Sequence, residues 1–373
     1  NMEKKEKKGS IFDSTIEAFQ SFLRVPNTVT KSGSHVRDCN DLKRVMIIVV
    51  VALIPTLLFG IYNIGYQHNL AAGTDMGFWQ MVWYGFLKIL PLYLVSYIVG
   101  LGIEFASAQI RGHEVNEGYL VTGMIIPLIV PVTTPLWILA IAVAFAVIIG
   151  KEVFGGTGMN IWNPALIARA FLFFAYPSSM SGDKVWVAGV DGYSGATPLA
   201  EAAVGNFPTM ANGSDSILNM FIGLIPGCPG ETSTIAILIG AAILLLTGVA
   251  SWKIMLSTVI GGLAMGYLCN AIASEPTSYL AMPAWEHLIM GGFAFGAVFM
   301  ATDPVTSAQT ETGKWIYGFL IGAFTIILRV FNPGYPEGMM LSILLMNTFA
   351  PLIDYCVVQR NIKKRLKRAQ INQ

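Results

Sequence analysis

Of the 23 lysines and arginines in this chain, 15 lie in two tails: nine in residues 1–44 and six in residues 359–373. Between the tails runs an apolar chain broken only by isolated charges. That distribution constrains the fold more than any motif does. A soluble domain spreads charge over its surface, and roughly 25% of its residues carry one. Here 12% do, and 54% are hydrophobic. The apolar content excludes a disordered chain. A net charge of +1 with no basic face excludes a nucleic-acid binder. What remains is an all-α polytopic membrane protein.

A helix needs about 20 apolar residues to cross the hydrocarbon of a bilayer. Eight stretches suit: residues 45–64, 81–103, 136–150, 161–176, 235–250, 255–273, 316–330 and 339–358. Two shorter ones, 118–130 with Pro127 and the glycine-rich 288–301, read as interrupted crossings, which makes ten. Residues 217–225 are too short to cross and read as re-entrant. Ten crossings put both termini on one side, and the basic tails make that side the cytoplasm. Arg111, Lys151, Lys253 and Lys314 fall in loops on the same side and, with the 15 in the tails, bring 19 of the 23 cations inside. No apolar leader precedes residue 45, and the amphipathic stretch 11–23, with Phe12, Phe19 and Phe22, is expected to lie on the cytoplasmic face.

The two halves look related. Pro131-Val-Thr-Thr134 leads to Trp137, Phe154 and Phe171, and Pro304-Val-Thr-Ser307 leads to Trp315, Phe331 and Phe349. An odd number of crossings per half inverts the second against the first. Such repeats, with broken helices at their interface, are a layout of transporters and channels. The expected organisation is a cytoplasmic segment (1–44), a first five-helix repeat (45–176), an outer loop (177–234), a second five-helix repeat (235–358) and a basic cytoplasmic tail (359–373). Four widely spaced cysteines, Cys39, Cys228, Cys269 and Cys356, form no C-x-x-C pair. They build neither a zinc site nor an iron–sulfur cluster and read as small buried hydrophobes.

The outer loop is polar and longer than a connection needs, which marks it as functional. It contains Asp191-Gly-Tyr-Ser-Gly-Ala-Thr197-Pro-Leu. By itself this string is a turn into a short helix, with Thr197 as N-cap and Pro198 at the first helical position. Residues Ser194-Gly-Ala-Thr197 after Asp191 are also similar to the flavinylation motif, in which a threonine hydroxyl is joined to the phosphate of FMN. Around it stand Gly112-His-Glu-Val-Asn-Glu-Gly118, Lys151-Glu-Val-Phe-Gly-Gly-Thr-Gly158, Asn163-Pro-Ala-Leu166, Arg169-Ala-Phe-Leu-Phe-Phe-Ala-Tyr-Pro177, Gly291-Gly-Phe-Ala-Phe-Gly296, Met300-Ala-Thr-Asp-Pro304 and Asn332-Pro-Gly-Tyr-Pro-Glu-Gly-Met339. Together, over roughly residues 40–365, these resemble the B-subunit of the sodium-translocating NADH:quinone oxidoreductases, the Nqr complexes.

The resemblance implies FMN on Thr197, placed by a flavin transferase, with Asp191, Ser194, Gly195 and Ala196 forming the recognition string. It also implies a non-covalent riboflavin, electron delivery to a quinone and export of Na⁺ across a bacterial inner membrane. A phosphoester at the N-terminus of a helix would suit the free N–H groups there. A riboflavin ring needs an apolar slot with a few convergent polar groups. The candidates are Asn160, Asn163, Thr302 and Asp303, beside the helix-breaking Pro164 and Pro304; plain capping explains the asparagines equally well. Quinone candidates are Gly100, Gly102, Glu104, Phe171 and Phe173, the aromatics being equally at home in packing. Ionisable groups in apolar spans are costly and functional by default. Asp354 and Glu104 are candidates for the sodium path, with ion pairing to Arg169 or Arg329 as the alternative. His113 with Glu114 and Glu117 reads as a solvated turn. The NADH site, FAD and iron–sulfur centres fall to partner subunits of a six-subunit complex, because the chain lacks a dinucleotide fingerprint and a cysteine cluster. The D-subunit of the related Rnf complex and a urea-channel-like transporter are the rival readings.

Overall fold

The computed structural model describes residues 30, 32–34, 42–111, 118–182, 184–190, 195–207, 217–275, 278–332 and 337–371. Among them the regular structure is entirely helical. In chain order the helices are α1 (Leu42–Ala72), α2 (Phe78–Arg111), α3 (Tyr119–Ile129), α4 (Leu136–Gly150), α5 (Pro164–Ala175), α6 (Pro198–Ala203) and α7 (Ile217–Ile222). They continue with α8 (Thr234–Leu246), α9 (Trp252–Ile272), α10 (Glu286–Ile289), α11 (Phe293–Phe295), α12 (Glu311–Phe331) and α13 (Met339–Ile371). Among the described residues six stretches, the helices α1, α2, α9, α12 and α13 and the run from α4 to Phe154, are long and apolar enough to cross a membrane. Large apolar side chains such as Leu58, Trp83, Ile98 and Leu246 stay exposed along this bundle, as lipid contact requires and water would not favour.

Two of the stretches read as full crossings are shorter helices. α5 has 12 residues and α8 has 13, about 18 and 20 Å at 1.5 Å per residue, against a hydrocarbon core of about 30 Å. The reason is local capping that a hydropathy window does not register. Asn163 accepts a hydrogen bond from Ala165 N and sets Pro164 at the first position of α5. α8 begins at the Ser233 cap and ends before Gly248, whose φ of +71° halts the helix. In the opposite direction, α13 does not stop at residue 358 but continues as one helix into the basic tail. The stretch at 217–225 supplies α7, whose Met220 is buried in a small core with Leu199, Phe207, Met282 and Met290.

Of the two segments expected to be shorter or interrupted, the first is one short, unbroken helix and the second is broken. α3 has 11 residues, nine of them buried. The 286–300 region breaks into α10, α11 and a π-turn over Gly296–Met300, a helix irregularity frequent at functional sites. Around them the long helices pack closely over small residues. At Gly322 of α12 a Cβ would lie 2.0 Å from the Thr258 carbonyl oxygen of α9, so glycine is what lets these two backbones touch. The main core runs through α3, α4, α5, α11 and α12 and includes Ile126, Leu128, Leu139, Leu166, Phe295 and Ile321.

Candidate functional site

Two cavities flank the short helix α5. The first is walled by the start of α1, by α3, by the loop before α5 and by residues 302–305, and it holds about 770 Å³ of space between its walls, part of it open to solvent. All four candidates for the non-covalent flavin, Asn160, Asn163, Thr302 and Asp303, line it. The structure thus brings together two pairs some 140 residues apart. Asn163 Nδ2 donates to Asp303 Oδ2 at 3.2 Å while Asn163 Oδ1 caps α5. Asp303 also accepts from Val305 N and Thr306 Oγ1, each at 3.1 Å. Burial pushes the Asp303 carboxyl above the usual aspartate range, and these three donors pull it back. Capping and cavity lining are therefore performed by the same asparagine. Otherwise the walls are largely apolar, from Val49, Ile125, Leu244 and Phe299.

Lys151 also lines this cavity, and its ammonium pairs with Glu104. Both side chains are buried. Glu104 is thus paired with a loop lysine and not with Arg169 or Arg329. The other quinone candidates scatter. Gly100 packs so closely on Tyr119 that a Cβ there would meet the ring at 1.9 Å, whereas Gly102 faces open space. Phe171 stacks on Phe145 with centroids 4.8 Å apart. Phe173 lines the second cavity.

That second cavity holds Thr197. Its walls include Arg169, Phe173, Trp186, Cys228, Glu231 and Glu337. Thr197 caps α6 as the sequence predicts, Oγ1 accepting from Ala200 N at 3.3 Å, and Pro198 occupies the first position. α6 has only six residues, so its dipole is small, and charge in the cavity comes chiefly from side chains. Gly195 is buried, while Ala196 and Thr197 are half-buried. Asp191 and Ser194 lie outside the described residues, as do Phe12, Phe19, Phe22, Cys39, His113, Glu114 and Glu117.

Sequence reasoning missed the floor of this cavity. The Arg169 guanidinium pairs with Glu231 through both terminal nitrogens and reaches Glu337 Oε2 at 3.4 Å. Glu337 Oε1 accepts from Gly292 N at 2.7 Å, and Arg329 donates to the carbonyls of His287, Met290 and Glu337. Burial drives the Glu231 carboxyl up, Arg169 draws it down and Glu337 adds to the rise. Two buried arginines in an apolar chain demand acidic or carbonyl partners, and that demand was the available signal. Arg169 and Arg329, the two arginines expected as partners for Asp354, are thus engaged elsewhere. The Asp354 carboxylate instead accepts from Gln309 N at 2.7 Å, Thr310 N at 2.9 Å and the Thr310 hydroxyl, fastening the start of α12. Of the cysteines, Cys228 and Cys269 are buried as expected, while Cys356 is exposed. Among the described residues no cluster of metal-ligating side chains is present.

α5 connects the two cavities. Asn163 at its start belongs to the first and Arg169 to the second. Six residues separate them, about 9 Å along a helix axis.

Residues 29–363 match the family described as the NQR2, RnfD, RnfE family. The Na(+)-translocating NADH-quinone reductase B-subunit of Pseudomonas aeruginosa is 49% identical over 375 residues, covering 94% of this chain and 93% of its own length. The protein of the same name from Chromohalobacter salexigens is 49% identical over 378 residues, covering 96% and 92%. That from Azotobacter vinelandii is 48% identical over 375 residues, covering 94% and 93%.

Proposed function

The chain belongs to the NQR2, RnfD, RnfE family, and from that premise we propose that it is the flavin-carrying membrane subunit of a Na⁺-translocating NADH:quinone oxidoreductase. Near-full-length identity to proteins named as the B-subunit of such a reductase favours this reading over the Rnf subunit and over a channel. Its place is a bacterial inner membrane, with ten crossings as two inverted five-helix repeats. α3 is the shortened element and the 286–300 region the broken one, and α5 and α8 are short crossings whose ends line cavities. The cation count of the loops puts both termini inside and the Thr197 loop outside.

The observation that supports this most is the pair of cavities on one 12-residue helix, one holding Thr197 and the other holding Asn163 and Asp303. Thr197 offers the hydroxyl for a phosphoester with FMN on the outer side. Asn160, Asn163, Thr302 and Asp303 would hold riboflavin on the inner side. When bound, these flavins supply one-electron carriage between partner redox centres and a quinone. Asn163 and Asp303 orient one another, so the inner polar edge is preorganised. Arg169, held by Glu231 and Glu337, fixes the charge at the floor of the outer cavity. The remaining walls of both cavities are largely apolar. The partners are the NADH-oxidising, second FMN and iron–sulfur subunits of the complex, and a flavin transferase during maturation.

Thr197→Ala tests the assignment. The denatured parent band should fluoresce under ultraviolet light and the variant band should not, while acid still releases a non-covalent flavin from both. A fluorescent Thr197→Ala band would show that another residue bears the FMN. For topology, an impermeant thiol reagent on intact cells should label a cysteine placed at Gly205 and spare one at Gln370. The reverse pattern would sink the orientation.

A further inference from the structure

Among the described residues, one buried polar side-chain atom on the wall of the outer cavity lacks a partner. Arg169 is held by Glu231 and Glu337, Glu337 also by Gly292 N, and Cys228 donates to the Ile129 carbonyl at 3.3 Å. Thr197 Oγ1 accepts from Ala200 N. Thr232 lines the same cavity, is 2% exposed, and its hydroxyl has no hydrogen-bond partner. Its neighbours hold it in place. Glu231 before it is tied to Arg169, and Ser233 after it caps α8 by accepting from Ala236 N at 3.2 Å. Upstream, Gly230 N donates to the Leu128 carbonyl at 2.8 Å. A buried hydroxyl fixed in this way and left unsatisfied weakens the fold, and such groups are rare in native structures. One turn about χ1 redirects the hydroxyl without moving the backbone.

We propose that Thr232 is a positioning residue for the flavin ring in the outer cavity, donating a hydrogen bond from its hydroxyl to a carbonyl oxygen on the pyrimidine edge of the ring borne by Thr197. This rests on the reading of Thr197 as the FMN-bearing residue. A ring that has gained one electron holds more negative charge on that oxygen, so the hydroxyl stabilises the reduced form more than the oxidised form. No bond is made or broken at Thr232, and no proton leaves it. Thr232 therefore raises the potential of this flavin, and its contribution to stability changes sign with the flavin. With the ring in place the hydroxyl has a partner; without it the hydroxyl is a buried orphan.

The test is Thr232→Val, which keeps shape and removes the hydroxyl, in the intact complex. In the parent background the denatured band should still fluoresce. The reduced-to-oxidised ratio of that flavin at a given potential should fall about tenfold, a lowering of about 59 mV for one electron. In the Thr197→Ala background the same change should raise Tm by about 2 °C, whereas with FMN attached it should lower Tm by a similar amount. Thr232→Ser retains the hydroxyl and should retain the parent potential, and Thr232→Ala provides the loss if the valine variant does not assemble. An unchanged potential with FMN attached, or a Tm change of the same sign in both backgrounds, overturns the assignment of Thr232. A fluorescent band in Thr197→Ala overturns the FMN reading itself, and this inference with it.

Discussion

Removing the Arg169 side chain as Arg169→Leu should be among the most damaging single changes outside the tightly packed core. The guanidinium is buried, contacts both Glu231 oxygens and lies 3.4 Å from Glu337. At that separation one unit-charge pair interacts by about 5 kcal/mol for an effective dielectric constant of about 20. Most of that attraction offsets the cost of taking the ions out of water, so the intact cluster contributes little net stability. The variant, however, leaves two acidic groups facing each other with no cation between them. Breaking a buried pair in this way costs about 3–5 kcal/mol. For the detergent-solubilised complex, followed by tryptophan emission on heating, the expected fall in Tm is about 6–20 °C. Replacing the acid as well, in Arg169→Leu/Glu231→Leu, removes one stranded charge and should recover at least about 2 kcal/mol. Glu337 then keeps its bond from Gly292 N. A fall of less than about 2 °C in the single variant, or a double variant no more stable than the single, would refute the account of Arg169 as the centre of a compensated buried cluster.

Three further outcomes follow from the other contacts. Asn163→Ala removes the cap of α5 and a donor to Asp303. It should cost about 1 kcal/mol of stability and lower the acid-releasable flavin while the covalent flavin stays; undiminished release would remove Asn163 from the inner site. Asp303 is raised above the ordinary aspartate value of 3.8. Its folded form therefore holds a proton that the unfolded chain gives up, and stability falls as pH rises from that value through the folded one. Asp303→Asn should abolish this segment of a Tm-versus-pH curve, and a parallel curve would contradict it. Asp354→Asn weakens the fastening of α12 by about 1–2 kcal/mol, because an amide accepts through only one oxygen. If the carboxylate also meets Na⁺ during transport, the variant should need more Na⁺ for half-maximal quinone reduction with both flavins bound. An unchanged Na⁺ requirement would confine Asp354 to its structural role.

The class of fold and the position of Thr197 were legible in the sequence because both are local properties. A run of apolar residues is its own evidence for a buried or lipid-facing helix, and a Thr-Pro pair at the head of a short helix carries its own capping chemistry. Proline next to a short polar residue marked the broken ends correctly at Asn163 and Asp303. The limit appeared where one residue overrules a window. Pro164 and Gly248 shorten α5 and α8 to lengths no hydropathy average foresees, and the helix of the C-terminal tail continues because nothing in it breaks a helix. Partners were beyond reach for a different reason. A charge in an apolar segment announces that it needs a counter-charge, but which one depends on how helices pack. Lys151 for Glu104, Glu231 and Glu337 for Arg169, and the Gln309–Thr310 amides for Asp354 come from chain positions 44 to 168 residues away. Only the tertiary structure chooses among them, because desolvation makes each pairing obligatory while leaving its address to the geometry of the fold.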